Sequence, residues 1–163
     1  MSEPEDREIV VEECRNLIKA AGHLRYSYEG VLERLPADRQ QFAAMPSGDL
    51  ERLDALAIRF GRCQDMAAST LRSIATYQDL AVDSFPRLLD DLRRHGLRIE
   101  PEDWSRMRKL RNTVVHDYPK HEDELVNAYE DLIKLTPALL SAVEQIRAYV
   151  AGPLDVDPTD RVP

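Results

Sequence analysis

The chain predicts an all-α fold, an antiparallel bundle of about five helices. Apolar residues recur in alternating steps of three and four over long stretches, no stretch alternates apolar and polar residues as a half-buried strand would, and Pro and Gly fall between the periodic stretches. Helices patterned in this way bury their apolar stripes against one another.

The first stripe is Val10, Cys14, Leu17, Ala21, Leu24, Tyr28, Val31 and Leu35. It predicts one long helix over about residues 4–35, opened by the capping-box pair Ser2 and Glu5, closed by Pro36, and open to a bend at Gly22. A polar loop is expected around Pro46-Ser47-Gly48. The second stripe is Leu50, Leu53, Ala57, Phe60, Gln64, Ala67, Leu71 and Ile74, with Asp49 as the expected N-cap and Gln64 as the one polar intrusion.

A short helix fits Phe85 to His95, starting at Asp83 or Ser84, turning Leu88, Leu89 and Leu92 inward and stopping at Gly96. The next begins at Pro101, which suits a first helical position, carries Trp104, Met107, Leu110 and Val114 inward, and ends before Pro119. The last runs from about His121 to Val150 along Leu125, Tyr129, Leu132, Leu139, Val143 and Ile146. Glu122, Asp123 and Glu124 favour its positive end, and Pro137 is expected to kink it. The stretch from 152 is rich in Pro and Asp and aperiodic, so the expected organisation is one bundle over 1–151 and a flexible tail over 152–163 that stays out of the core.

With 163 residues, 43% of them hydrophobic and 32% charged, the chain can bury one core. No apolar run approaches the roughly 18 residues of a membrane span, and Met1-Ser2-Glu3-Pro4-Glu5-Asp6 is acidic where a signal peptide is basic and then apolar, so no membrane contact and a cytoplasmic location are expected. Cys14 and Cys63 stand too far apart for a CxxC pair or a zinc knuckle and read as buried reduced thiols. The net charge of −8 disfavours a protein that coats nucleic acid nonspecifically, so any such contact must be local.

Chemistry concentrates in Arg111-Asn112-Thr113-Val114-Val115-His116-Asp117-Tyr118, expected on the last turns of a helix. On an ideal helix Arg111 and Tyr118 nearly eclipse and Asn112 and His116 form a neighbouring row, while Arg111 and His116 stand about 140° apart around the axis and about 7.5 Å apart along it. They flank a groove that a phosphate can bridge. If the substrate is RNA, its 2′-hydroxyl is an internal nucleophile, a histidine supplies acid–base help and a forked guanidinium stabilises the phosphorane. One histidine is half of a two-group mechanism, which a twofold dimer would complete.

The plainer reading is that Arg111 pairs with an acid on a neighbouring helix while His116 merely favours a helix C-terminus. Arg106, Arg108 and Lys109 make this helix locally basic, with Arg108 a candidate for the cleft. A second polar cluster, Arg59, Arg62, Gln64 and Asp65, lies on the helix expected beside it. Arg62 and Asp65 are spaced to form a surface ion pair of little consequence; alternatively the cluster lines the same cleft and positions RNA or Arg111. Pro119 separates His116 from His121 and removes fixed ligand spacing, so no metal is expected. Neither a glycine-rich phosphate loop nor a nucleophile elbow is present, no cofactor is expected, and His23 and His95 read as structural or exposed.

At Arg111, Asn112, His116 and Tyr118 the chain resembles the HEPN superfamily, and within it the HepT-type toxins that pair with minimal nucleotidyltransferases, whose signature is arginine, a polar residue, three variable residues, histidine, one variable residue and tyrosine. Lys109-Leu110, Pro119, the Arg59-Phe60-Gly61-Arg62-Cys63-Gln64-Asp65 stretch and the helix bearing Trp104 extend the resemblance over roughly residues 8–150. It implies a metal-independent endoribonuclease toxin with Arg111 and His116 as the catalytic pair across a homodimer and Asn112 and Asp117 shaping the site. It also implies that a cognate minimal nucleotidyltransferase antitoxin modifies Tyr118 with AMP. The resemblance admits a second class, a noncatalytic helical module that binds substrate or nucleotide for a nucleotidyltransferase.

Overall fold

The computed structural model describes residues 4–36, 38–116 and 119–155, and over these the chain is helical with no strand. The elements are α1 (Pro4–Leu32), α2 (Arg39–Ala43), α3 (Ser47–Tyr77), α4 (Phe85–Arg94), α5 (Pro101–Val115) and α6 (Glu122–Ala151). The four longest helices form an up-down-up-down bundle.

Pairings across the interfaces fix their directions. Ser69 donates to Glu13 at 2.7 Å and Arg59 to Ser27 at 2.5 Å, so α3 runs antiparallel to α1. Arg111 of α5 meets Asp65 of α3, again antiparallel. Along the diagonal, α3 and α6 run parallel: Tyr129 donates to Asp54 at 2.5 Å near one end, and Gln78 and Tyr149 exchange hydrogen bonds of 2.7 and 3.0 Å at the other.

The predicted stripes are the observed core. Val10, Cys14, Leu17, Ala21, Leu24 and Val31 of α1 are buried, and α3 buries Leu53, Ala57, Phe60, Gln64, Ala67, Leu71 and Ile74. Leu56, Gly61, Cys63, Thr70 and Ala75 are buried as well, so α3 is enclosed on more than one face. It touches α1, α4, α5 and α6.

Several expectations need correction. There are six helices among the described residues, because residues 39–43 form α2, capped by the Asp38 carboxylate, which accepts from the Gln41 N–H at 2.8 Å. Phe42 is buried and stacks on Tyr129 with ring centroids 6.1 Å apart, so tertiary packing stabilises a helix too short to show a period. Ser47 and Gly48 belong to α3 and not to a loop; Pro46 occupies the N-cap position, and Asp49 sits in the first turn, paired with Arg52 at 3.1 Å. Helix α1 passes through Gly22 unbroken and ends at Leu32, leaving Leu35 exposed.

Helix α4 ends as predicted. Gly96, at φ 102°, takes the left-handed position of a Schellman motif in which the Leu97 N–H reaches the Leu92 carbonyl at 3.0 Å and Leu97 is buried. Asp79, at φ 57°, makes the same turn after α3, with the Leu80 N–H on the Ala75 carbonyl at 2.8 Å. Helix α6 continues through Pro137. The first residues of the expected tail return to the bundle: Leu154 packs against the core and its N–H bonds the Tyr149 carbonyl at 3.2 Å. Ser2, of the expected capping box, and residues 156–163 lie outside the described residues.

Cys14 and Cys63 are free and buried. Burial pushes the Cys63 thiol from an ordinary 9.0 up to about 12, and the Cys14 thiol up to about 11 against a weaker opposing pull from Arg147. A folded-state pKa above the unfolded value means stability that is complete below about pH 9.0 and is lost as pH rises towards 11 and 12. Urea midpoints of the wild type should therefore drop above pH 9 more steeply than those of a Cys14→Ala, Cys63→Ala variant. Equal slopes in the two proteins would exclude the thiols as the source.

Candidate functional site

Helix α5 packs the end that carries its motif against α3 at Gly61. A Cβ at Gly61 would stand 2.7 Å from Val115 Cγ2 and 3.6 Å from Arg111 Cγ, so a side chain there would force Val115 to shift. The absent side chain lets the end of α5 settle on α3 with Arg111 facing Asp65.

Arg111 is held by its two terminal nitrogens. One Nη forms an ion pair with Asp65 at 2.5 Å and the other donates to Asn112 Oδ1 at 2.8 Å, while Nε is enclosed without a partner among the described residues. The Arg111 side chain is 23% exposed and that of Asp65 51%, so the pair is hydrated on one side and its chief effect is to orient the guanidinium. This geometry matches the plainer reading of Arg111 as the partner of an acid on a neighbouring helix. It also replaces the expected Arg62–Asp65 pair: Asp65 turns to α5, and Arg62 is exposed with no ion pair among the described residues.

A polar cleft of about 230 Å³ adjoins the pair, lined by Gln64, Asp65, Ala68 and Arg72 of α3, Phe85 of α4, and Trp104, Arg108 and Arg111 of α5. Trp104 stacks on Phe85 with centroids 5.2 Å apart, and the Arg72 guanidinium lies 5.0 Å above the Phe85 ring. Asp65 and Arg108 line this cleft beside Arg111. Arg59 does not, because it turns to the opposite side of α3, donating to Ser27 and to the His23 carbonyl at 3.2 Å, and lines a different cleft with Tyr26, Arg34 and Arg52.

His116 keeps α-helical backbone angles at the end of the motif helix, with φ −111° and ψ −40°. Helix α5 ends at Val115 and His116 is its C-cap, exposed, with its N–H on the Asn112 carbonyl at 3.0 Å. Asp117 and Tyr118 lie outside the described residues. Among the described residues no group of His, Cys, Asp and Glu is arranged to hold a metal ion, and no helix is long and apolar enough to cross a membrane.

Arg72 and Gly61 escaped the reading of the sequence. Asp65, Ala68 and Arg72 are spaced by three and four, as are Trp104, Arg108 and Arg111, so two matching helical rows were available to find the cleft. Nothing in the sequence signals that Gly61 meets Val115.

The Gly61 contact can be tested by a cycle. Gly61→Ala should lower stability by about 1–2 kcal/mol, overpacking outweighing the gain in helix propensity. In a Val115→Ala background the same change should be neutral or stabilise by up to about 1 kcal/mol. Identical effects in both backgrounds, measured by urea denaturation, would show that the Val115 contact does not set the helix spacing.

Compared with models of known protein families, with curated proteins and with solved structures, the chain gives no match.

Proposed function

We propose that the protein is a metal-independent endoribonuclease of the HepT type, acting as a homodimer and restrained by a partner nucleotidyltransferase. The observation that carries this reading is the placement of Arg111: an oriented, partly exposed guanidinium on the wall of a cleft that also holds Arg72 and Arg108, one turn before the exposed His116. Asp65 and Asn112 fix the plane of the fork, so little ordering remains to be done when a phosphate arrives.

The chemistry follows from these groups. The 2′-hydroxyl of RNA attacks the adjacent phosphorus, its proton passes to a histidine, and the P–O5′ bond breaks as a second acid protonates the leaving oxygen. Products are a 2′,3′-cyclic phosphate and a free 5′-hydroxyl. Arg111 stabilises the charge on the equatorial oxygens of the phosphorane. His116 serves as one proton carrier, and the same residue of a twofold-related copy serves as the other. Ile58 and Val115 are exposed apolar side chains lining a groove of about 290 Å³ beside the motif, surface that such a contact would bury.

His116→Ala should reduce RNA cleavage by about 10²–10⁴-fold and Arg111→Ala by about 10²–10³-fold with the helical fold retained. A mixed dimer of wild type and His116→Ala should be nearly as inactive as the His116→Ala homodimer, because the shared cleft then lacks one of its two proton carriers. Unchanged RNA in the wild-type reaction would remove the ribonuclease reading, and a mixed dimer with half of the wild-type activity would remove the composite site.

Tyr118 is the proposed point of control, since AMP on its hydroxyl would add a phosphate to the motif, an anion able to compete with RNA. Peptide mass spectrometry of the protein co-expressed with its nucleotidyltransferase should find AMP on Tyr118 and none in Tyr118→Phe. An unmodified Tyr118 in a neutralised pair would rule out this control.

A further inference from the structure

The rows that hold Arg111 continue past it. Three guanidiniums line the cleft, those of Arg72, Arg108 and Arg111, against the single carboxylate of Asp65, a local positive excess in a chain of net charge −8. Arg111 is paired with Asp65, but Arg72 and Arg108 form no ion pair among the described residues. Arg106, on the same helix and facing away, is neutralised by Glu102 at 3.0 Å. Arg72 and Arg108, both exposed, thus bring unpaired positive charge to the wall of the cleft.

We infer that Arg72 and Arg108 form a second phosphate subsite, which binds the backbone phosphate next to the scissile one in a single-stranded RNA. The three arginines are staggered along the two helix axes: the backbone of Arg108 stands about 4.5 Å from that of Arg111 along α5, and that of Arg72 about 10.5 Å from that of Asp65 along α3. That spread suits a chain of phosphates better than one compact anion. At about 230 Å³ the cleft is smaller than the roughly 300 Å³ at which sites for whole small molecules begin, so it takes the phosphate and leaves the bases outside. Contact with the Phe85 ring fixes the Arg72 guanidinium and removes part of its water, which strengthens its pull on an anion.

The identity of the ligand as RNA rests on the ribonuclease reading; the anion site itself rests on the charges in the cleft. Both can be probed with a 2′-O-methyl hexanucleotide, which has no nucleophile and is not cut. Fluorescence anisotropy should show Arg72→Gln and Arg108→Gln each weakening its binding by about tenfold. Each should also lower the slope of log K against log salt by about 0.7, a change that a merely structural role would not produce. Arg98→Gln, on a loop outside the cleft, should leave both unchanged.

Wild-type affinity and salt slope in both cleft variants would overturn the subsite, as would no binding of the hexanucleotide by the wild type. Inorganic pyrophosphate that competes at the hexanucleotide's own concentration would also overturn it, by assigning the cleft to a free anion. Arginine-dependent binding in a protein that cuts no RNA supports the subsite and removes the ribonuclease. Cleavage by the wild type with KM unchanged in both variants does the reverse.

Discussion

Helix α3 has to serve α1, α4, α5 and α6 at once, and that demand governs the molecule. A helix packed on several sides cannot be large everywhere, because side-chain volume sets the distance between axes. Its large residues, Leu53, Leu56, Phe60, Leu71 and Ile74, fill the bundle interior, while Gly61 opens the side towards α5. A glycine inside a helix costs about 1 kcal/mol relative to alanine. Here that cost is offset by the close seating of α5.

The consequences of that seating run along the facing rows of α3 and α5. Near Gly61 it places Arg111 against Asp65; farther along, it leaves room for Arg72 and Arg108 above the stacked Phe85 and Trp104. Helix α5 is thus anchored by aromatic packing near its start and by the Val115 contact at its end, and His116 emerges where that restraint stops. A fixed arginine and an exposed histidine would suit the proposed phosphate chemistry, in which one group must be preorganised while the other has to reach and exchange protons. The net charge of −8 works against long-range attraction of a polyanion, so the proposed recognition at the cleft would depend on short-range, charge-assisted hydrogen bonds.

The long helices were legible because burial imposes the 3.6-residue period directly on residue choice; Val10 to Val31 and Leu53 to Ile74 are buried as spaced. Gly96 was legible because few other residues accept its positive φ. Helix α2 was not, since five residues hold too little period and Phe42 is buried only through its contact with α6. The fate of the polar cluster on α3 was equally hidden. Arg59 and Asp65 are six residues apart, on different sides of α3, and their partners come from α1 and α5 respectively.

By itself the sequence determined the helical class, the faces each long helix would bury, the two buried thiols and the motif at the end of α5. Those properties follow from spacing within one element and from the cost of exposing apolar surface. Only the tertiary structure decided that Asp65 belongs to Arg111, that Arg59 turns away and that Arg72 joins the cleft. Each of these depends on which side of one helix meets another, and that is set by side-chain volumes such as the absent one at Gly61.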